Sequence, residues 1–213
     1  MKQYIEVVPD TNIGVEIMKK LLLAFVLLLS LSTYAQKISV DQMESDGRHR
    51  VMTSMKNFKI EDFDYSMTLM VYESTDSLDW RLTVSSFNSI PKDNVILLKL
   101  NNGQTISLVV DSLQQKTYTT TSTTYSTGYV ALTQPGITKP YWVSESRIKI
   151  EELDGIDAHG ISKIRLGNNL KYIEEDWSNN PLGKHLTKCR KKIMENLKNS
   201  IDKKNNESVY DGF

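Results

Sequence analysis

The chain has 213 residues, in which 26 lysines and arginines balance 26 aspartates and glutamates. This balance lacks the overall basicity of a dedicated nucleic-acid-binding protein, so we expect no nucleic-acid partner. Cys189 is the single cysteine, so no intramolecular disulfide can form and an apolar core must stabilise the fold. The length suits one domain of ordinary size.

Residues 18–35 have the three parts of a secretory signal peptide. Two lysines precede an apolar run over 21–31, and Thr33-Tyr34-Ala35 ends the segment with the small residues of a cleavage site. The apolar run is shorter than the about 20 residues that a membrane-spanning helix needs. We therefore predict cleavage near Ala35–Gln36, export to the periplasm or the extracellular space, and no transmembrane segment after cleavage.

The predicted signal peptide sets the domain organisation. Residues 1–17 carry three acidic side chains where a signal peptide has positive charge, so we interpret them as a mis-called extension upstream of a start at Met18. Residues 36–201 are predicted to form a single β-rich domain that ends in a helix over 181–201. Residues 202–213 are predicted to form a polar tail.

A period-two alternation of apolar and polar residues dominates the chain after the predicted cleavage site. Trp80, Leu82 and Val84 alternate with polar residues, which is typical of a strand wetted on one face. Asn101-Asn102-Gly103 favours a type I′ hairpin turn, because Asn and Gly accept positive φ angles. The predicted strands are 48–55, 66–73, 80–85, 95–100, 106–110, 141–150, 161–166 and 170–173, with one helical turn over 151–156.

A Thr- and Tyr-rich segment interrupts this pattern. Residues 117–127 contain seven threonines together with Tyr118 and Tyr125. Branched side chains favour extended structure, yet neither face of the segment is apolar enough to be buried. We predict an exposed edge hairpin over 117–132, followed by a loop that Pro135 and Pro140 bracket.

The end of the domain has the period of a helix. Asn180 is predicted to cap it, and Pro181 takes the first helical position, where a missing N–H costs nothing. The opposite face is rich in lysine, which we interpret as a solvated face rather than a lipid-binding one. The apolar stripe that should pack on the sheet consists of Leu182, Leu186, Cys189, Ile193, Leu197 and Ile201.

Together these elements predict a mainly β fold, α+β at the margin. We expect an antiparallel sheet, sandwich or open barrel of about 8–10 strands, with one C-terminal amphipathic helix packed on it.

Asp154, Asp157 and His159 are candidate residues for a metal site or for a small hydrolase. Carboxylates and imidazole ligate metals and act as general bases, and here they lie in a segment bounded by glycines. The alternative is a polar turn between strands, because Asp and Gly are the residues that turns use. We favour the turn.

His185 and Cys189 are spaced i, i+4 and so share one face of the predicted helix. A thiolate with an imidazole as its base would be a nucleophile. However, Cys189 lies in the middle of the apolar stripe, where a cysteine behaves as a small inert hydrophobe. We favour core packing.

Aromatic residues on the predicted strands are candidate interaction residues. Tyr118, Tyr125 and Trp142 are the chief candidates, and Trp80 and Tyr141 belong to the same group. Their rings could stack on sugars or line a pocket. The alternative is packing within the core or in cross-strand pairs.

The sequence lacks phosphate-binding Gly-rich loops, nucleophile elbows, paired-cysteine sites and zinc-binding helix motifs, so no cofactor or catalytic residue is assigned. We expect a non-catalytic exported protein that binds an envelope protein, a glycan or a small apolar ligand.

The order of signal peptide, antiparallel strands and closing helix resembles lipocalin-type carriers in outline, although their Gly-x-Trp motif is missing. That resemblance implies an apolar cavity between strands and helix. The chain is also similar to exported proteins of Gram-negative bacteria, which implies no activity.

Overall fold

The computed structural model describes residues 36–88, 95–125, 131–168 and 170–210, without the side chains of 121–125, 131–136 and 203–210. Residues 1–35, which contain the predicted signal peptide, lie outside this description. The described strands are β1 (Ile38–Met43), β2 (His49–Thr53), β3 (Lys56–Ile60), β4 (Phe63–Glu73), β5 (Leu78–Ser86), β6 (Val95–Leu100), β7 (Thr105–Val109), β8 (Ser112–Tyr125), β9 (Ala131–Arg147), β10 (Ile161–Gly167) and β11 (Tyr172–Asp176). The described helices are α1 (Ile150–His159) and α2 (Pro181–Tyr210).

The described strands form two antiparallel sheets. The larger has the order β1-β2-β4-β5-β9-β8, with β3 also paired to β4, and the smaller has the order β11-β10-β6-β7. Across the β4–β5 pair, Leu69 lies opposite Leu82 and Val71 lies opposite Trp80, and all four side chains are buried. This apolar face, continued by β6 and β10, lines the inside of a curled half-barrel.

The larger sheet contains a bulge, because one extra residue lies between β2 and β3 where both strands pair with β4. β2 and β3 pair with consecutive parts of β4: Met52 lies opposite Met70, and Lys56 lies opposite Met67. Three residues on one side therefore span two on the other. Such a bulge increases local bend and twist, and α2 packs on β2 and β4, the strands on either side of this one.

Helix α2 packs its apolar stripe on the inside of the sheet. Leu182 through Leu197 of the predicted stripe are at most 4% exposed and belong to the core, whereas Ile201 is 51% exposed. The buried stripe therefore ends one turn earlier than predicted, while the helix continues to Tyr210.

The start of α2 is tied to the sheet. Asn180 Oδ1 accepts a hydrogen bond from the Ile161 N–H at 2.7 Å. The predicted cap thus joins α2 to β10, and its backbone carbonyl accepts from the Lys184 N–H.

The predicted fold class is confirmed: the protein is mainly β, with an antiparallel curled sheet and a C-terminal helix packed on it. Some local predictions were wrong. Pro135 and Pro140 lie within β9 rather than in a loop, and the single turn predicted at 151–156 is the ten-residue helix α1. Strands β1 and β3 were not predicted, and the last strand is Tyr172–Asp176.

Candidate functional site

The hairpin of β8 and β9 is longer than the sheet that supports it. β9 pairs with β5 from Trp142 to Arg147, but it pairs with β8 along nearly its whole length. Gln114 and Gln115, which lie opposite Val143 and Trp142 of that base, are exposed. Beyond the base, the side chains from Lys116 to Thr120 and from Ile137 to Pro140 are all exposed as well. Consecutive strand residues point to opposite faces, so both faces of the hairpin are uncovered there. We call residues 114–125 and 131–140 the arm.

Threonines join the two strands of the arm. Thr119 Oγ1 lies 3.0 Å from Thr138 Oγ1, and Thr120 Oγ1 donates to the Ile137 carbonyl at 3.3 Å. Cross-strand hydroxyl pairs of this kind stabilise a ladder without apolar packing. The arm therefore holds its extended form without burying a face.

Three aromatic rings lie together at the base of the arm. The Phe87 ring centroid is 6.2 Å from that of Tyr118 and 6.1 Å from that of Tyr141, in edge-on and tilted orientations. Phe87 is 60% exposed and Tyr118 is 52% exposed. We call these three residues the aromatic cluster. Exposed aromatics that touch one another offer a ready stacking surface.

Two lysines lie on the same face as the aromatic cluster. Lys116 is paired with Tyr141, and Lys139 is paired with Tyr118. Residues directly opposite in a ladder share a face, and both lysines are exposed. This face therefore combines stacking rings with two ammonium groups, which favours a partner that carries acidic groups.

The structure places the three chief aromatic candidates differently. Tyr118 is in the aromatic cluster, and the side chain of Tyr125 lies outside the described residues. Trp142 follows Tyr141 directly and so faces the other way, where it is half-buried against the core. Phe87 was not singled out from the sequence, although it continues the outward positions of β5 by the period of two.

Asp154 and Asp157 lie on α1, on the side that faces α2. Arg190 Nη2 is 2.8 Å from Asp154 Oδ1, and Arg190 Nη1 is 2.7 Å from Asp157 Oδ2. Thr187 Oγ1 also donates to Asp157 at 2.5 Å. The favoured interpretation of a turn was wrong in its local structure, because these carboxylates join two helices. Burial opposes the charge of Arg190, but the two carboxylates outweigh it and raise the pKa of the guanidinium.

His159, the third candidate of that group, closes α1. Its carbonyl accepts a hydrogen bond from Asn101 Nδ2 at 2.6 Å. Within the part of the chain that the structure describes, no group of three or more His, Cys, Asp or Glu residues is arranged to hold a metal ion. A hydrolytic role for Asp154 and Asp157 would require both carboxylates to leave Arg190.

His185 and Cys189 are buried between α2 and the bulge. The imidazole Nε2 is 3.0 Å from the Met67 carbonyl, so it carries the proton and donates there. Cys189 Sγ lies 3.5 Å from the same nitrogen and 3.8 Å from Thr68 Oγ1. Burial lowers the pKa of His185 and raises the pKa of Cys189. Both groups are therefore held neutral, which agrees with core packing rather than with a reactive thiolate.

A third histidine, His49, was not singled out from the sequence and lies between two carboxylates. His49 Nδ1 is 2.8 Å from a Glu73 oxygen, and Nε2 is 2.6 Å from an Asp41 oxygen. Asn196 of α2 donates to the other oxygen of Asp41. Burial opposes the charge, but the two carboxylates outweigh it and raise the pKa of His49. This group links β1, β2, β4 and α2.

Side chains fill the space between sheet and helix. Leu182, Leu186, Cys189 and Ile193 are each at most 1% exposed there. A groove of about 700 Å³, open to solvent, lies instead along one side of α2, where the helix meets Glu73, Leu78 and Asp157. We call it the α2 groove; its apolar lining consists of Leu78, Met194, Leu197 and Ile201.

Comparisons with protein-family models, curated proteins and solved structures find no match to this chain. Neither described helix has a stretch both long and apolar enough to cross a membrane.

Proposed function

We propose that the protein is an exported, non-catalytic binding protein of the cell envelope, and that its arm binds the partner. The observation that carries this proposal is the exposed part of the arm, residues 114–120 and 137–140, with the aromatic cluster at its base. Exposed aromatic rings that lie together lower the solubility of a protein unless a binding partner covers them. The export part is supported by the lysines, apolar run and small residues of 18–35.

The chemistry of the arm narrows the partner. The rings of Phe87 and Tyr118 suit sugar rings or flat apolar side chains, while Lys116 and Lys139 suit carboxylates or phosphates. The partner is accordingly an envelope protein or a glycan that carries acidic groups.

The test compares two double variants in binding to extracts of the cell envelope. Phe87→Ala/Tyr118→Ala removes two rings of the cluster, whereas Phe63→Ala/Tyr172→Ala removes two exposed rings elsewhere. We expect only the first to lose a component that the wild type retains reproducibly and that mass spectrometry identifies. Equal retention by both variants would refute the proposal. Detection of an uncut Met1 or Met18 terminus in protein from its native cell would refute the export part.

The α2 groove supports a second candidate function, the carriage of a small apolar ligand. Its volume is in the range of ligand pockets, and Met194, Leu78 and Ile201 are exposed apolar side chains along it. We expect a fluorescent fatty acid to bind the wild type and to bind Met194→Lys at least tenfold more weakly. Met43→Lys, at an exposed methionine on β1, is the control. No binding to the wild type, or equal binding to both variants, would exclude this function.

A further inference from the structure

We propose that the outer edge of β8 pairs antiparallel with β8 of a second copy of this chain, joining two larger sheets into one. The inference rests on the proposed function in one respect, namely that the arm is the interaction element. It adds a partner for the backbone edge of β8, which is a different surface from the face that carries the aromatic cluster.

β8 is a long edge strand. It ends the order of the larger sheet, and among the described strands only β9 pairs with it. Its 14 residues present a row of outward N–H and C=O groups, and the side chains from Gln114 to Thr120 are exposed on both faces. Such an edge is a template for another strand.

The devices that protect edges are on the other strand of the arm. Pro135 and Pro140 lie in the part of β9 that extends beyond its pairing with β5, where β9 would otherwise have an open edge. Proline lacks an N–H and blunts such an edge. β8 has no proline and one charged residue, Lys116. The edge of β9 is therefore closed to pairing, and that of β8 is open.

The sequence of β8 suits pairing with itself. In a continuous sheet, directly opposite residues share a face, so a two-fold axis along the sheet normal places one residue opposite its own copy. With the two strands fully overlapped, that residue is Tyr118 or Thr119, and Lys116 then lies opposite Thr120 or Ser122. No like charges meet, and both aromatic clusters lie on the same face of the joined sheet.

The size of this interface predicts its strength. A 14-residue strand spans about 48 Å, and a sheet with its side chains is about 10 Å thick, so each copy contributes about 480 Å². The total of about 960 Å² is at the low end for specific complexes. We therefore expect a concentration-dependent dimer rather than a permanent one.

The first test is sedimentation of the purified protein from about 1 µM to about 1 mM, a range that covers weak association. We expect monomer at the low end and dimer at the high end. The second test introduces one thiol, because Cys189 is buried. We expect Tyr118→Cys or Thr119→Cys to form a disulfide-linked dimer on mild oxidation, since Cα atoms opposite in a ladder are about 5 Å apart. Lys59→Cys, exposed on β3, is the control.

A monomer at the highest concentration overturns the inference, as does cross-linking of the β8 variants no faster than that of Lys59→Cys. If the protein is monomeric but the ring variant Phe87→Ala/Tyr118→Ala still loses an envelope partner, this inference fails and the proposed function stands. If the protein dimerises through β8 and neither ring variant affects binding, the proposed function fails instead. Matching thermal melts of all variants show that each is folded.

Discussion

The hairpin of β8 and β9 is stabilised in one way at its base and in another way in the arm. At the base, Ser144 and Ser146 of β9 are buried opposite Val84 and Leu82 of β5. In the arm, Thr119 and Thr138 pair with each other across the ladder and share a hydrogen bond, and both are exposed. The base is held by the core, whereas the arm is held by its own ladder. One continuous pair of strands can therefore contribute stability at one end and a binding surface at the other.

The largest change in the free energy of unfolding is expected for a substitution in the core. Leu186 of α2 is 1% exposed and belongs to the main cluster. Leu186→Ala should lower the free energy of unfolding by about 2–5 kcal/mol through lost burial and the cavity left behind. Urea unfolding measures this value. A loss below about 1 kcal/mol would mean that α2 is not docked as described.

A smaller effect is expected where the two helices meet. Arg190→Met removes the ion pairs to Asp154 and Asp157, in a partly exposed position. We expect a loss of about 1 kcal/mol, because hydrogen bonds to charged groups contribute more than neutral ones but solvent screens part of the effect. Lys192→Met, which removes an exposed i,i+3 pair with Glu195, should change the stability by less. Equal effects of the two substitutions would contradict this.

The contribution of His49 should depend on pH. Its folded pKa is raised above the ordinary value of 6.5, because the two carboxylates outweigh the opposing effect of burial. Its stabilisation is therefore fully present below pH 6.5 and is lost as the pH rises through the folded pKa. We expect His49→Gln to be more destabilising near pH 5.5 than near pH 8.5, as urea titrations at both pH values can measure. A cost that grows with pH would contradict the assignment.

The smallest effect on stability is expected in the arm. Ile137 is 65% exposed, so Ile137→Ser should change the free energy of unfolding by no more than about 0.5 kcal/mol. The same urea experiment compares it with Leu186→Ala. A loss of more than about 1 kcal/mol would show that this face of the arm is covered in solution, which edge pairing of β8 alone would not cause.

The sequence predicted the parts of the fold that have a strong period. The alternation of Trp80, Leu82 and Val84 and the stripe up to Leu197 agree with the structure. The hairpin turn lies at Asn101–Gly103 as predicted, but its type was wrong, because Gly103 has a positive φ there and the two asparagines do not, whereas a type I′ turn needs two such residues. β3 was missed because it is five residues long and has only Phe58 and Ile60 as inward apolar side chains. Pro135 and Pro140 predicted a loop because sequence alone does not reveal which part of a strand lacks a second neighbour.

The candidate site was predicted only in outline. The composition of 117–127 indicated an exposed hairpin, and Tyr118 lies in the cluster. Phe87, which follows β5 and is far away in the sequence, joins the cluster only because β5 pairs with β9. The pairing of Asp154 and Asp157 with Arg190 likewise depends on how two helices meet. No local pattern encodes such contacts.

The bulge between β2 and β3 also determines the rotational and axial position of α2 on the sheet. The Met67 carbonyl lies at this irregularity and accepts a hydrogen bond from His185 Nε2. An apolar contact tolerates a helix that rolls about its axis or slides by a fraction of a turn, but a directional bond from one ring nitrogen to one oxygen does not. Deleting Ser54 should remove the bulge and restore a straight strand. The hydrogen bond from His185 to the Met67 carbonyl would then no longer fix the orientation of α2. The core would then still hold α2, although in more than one rotational setting.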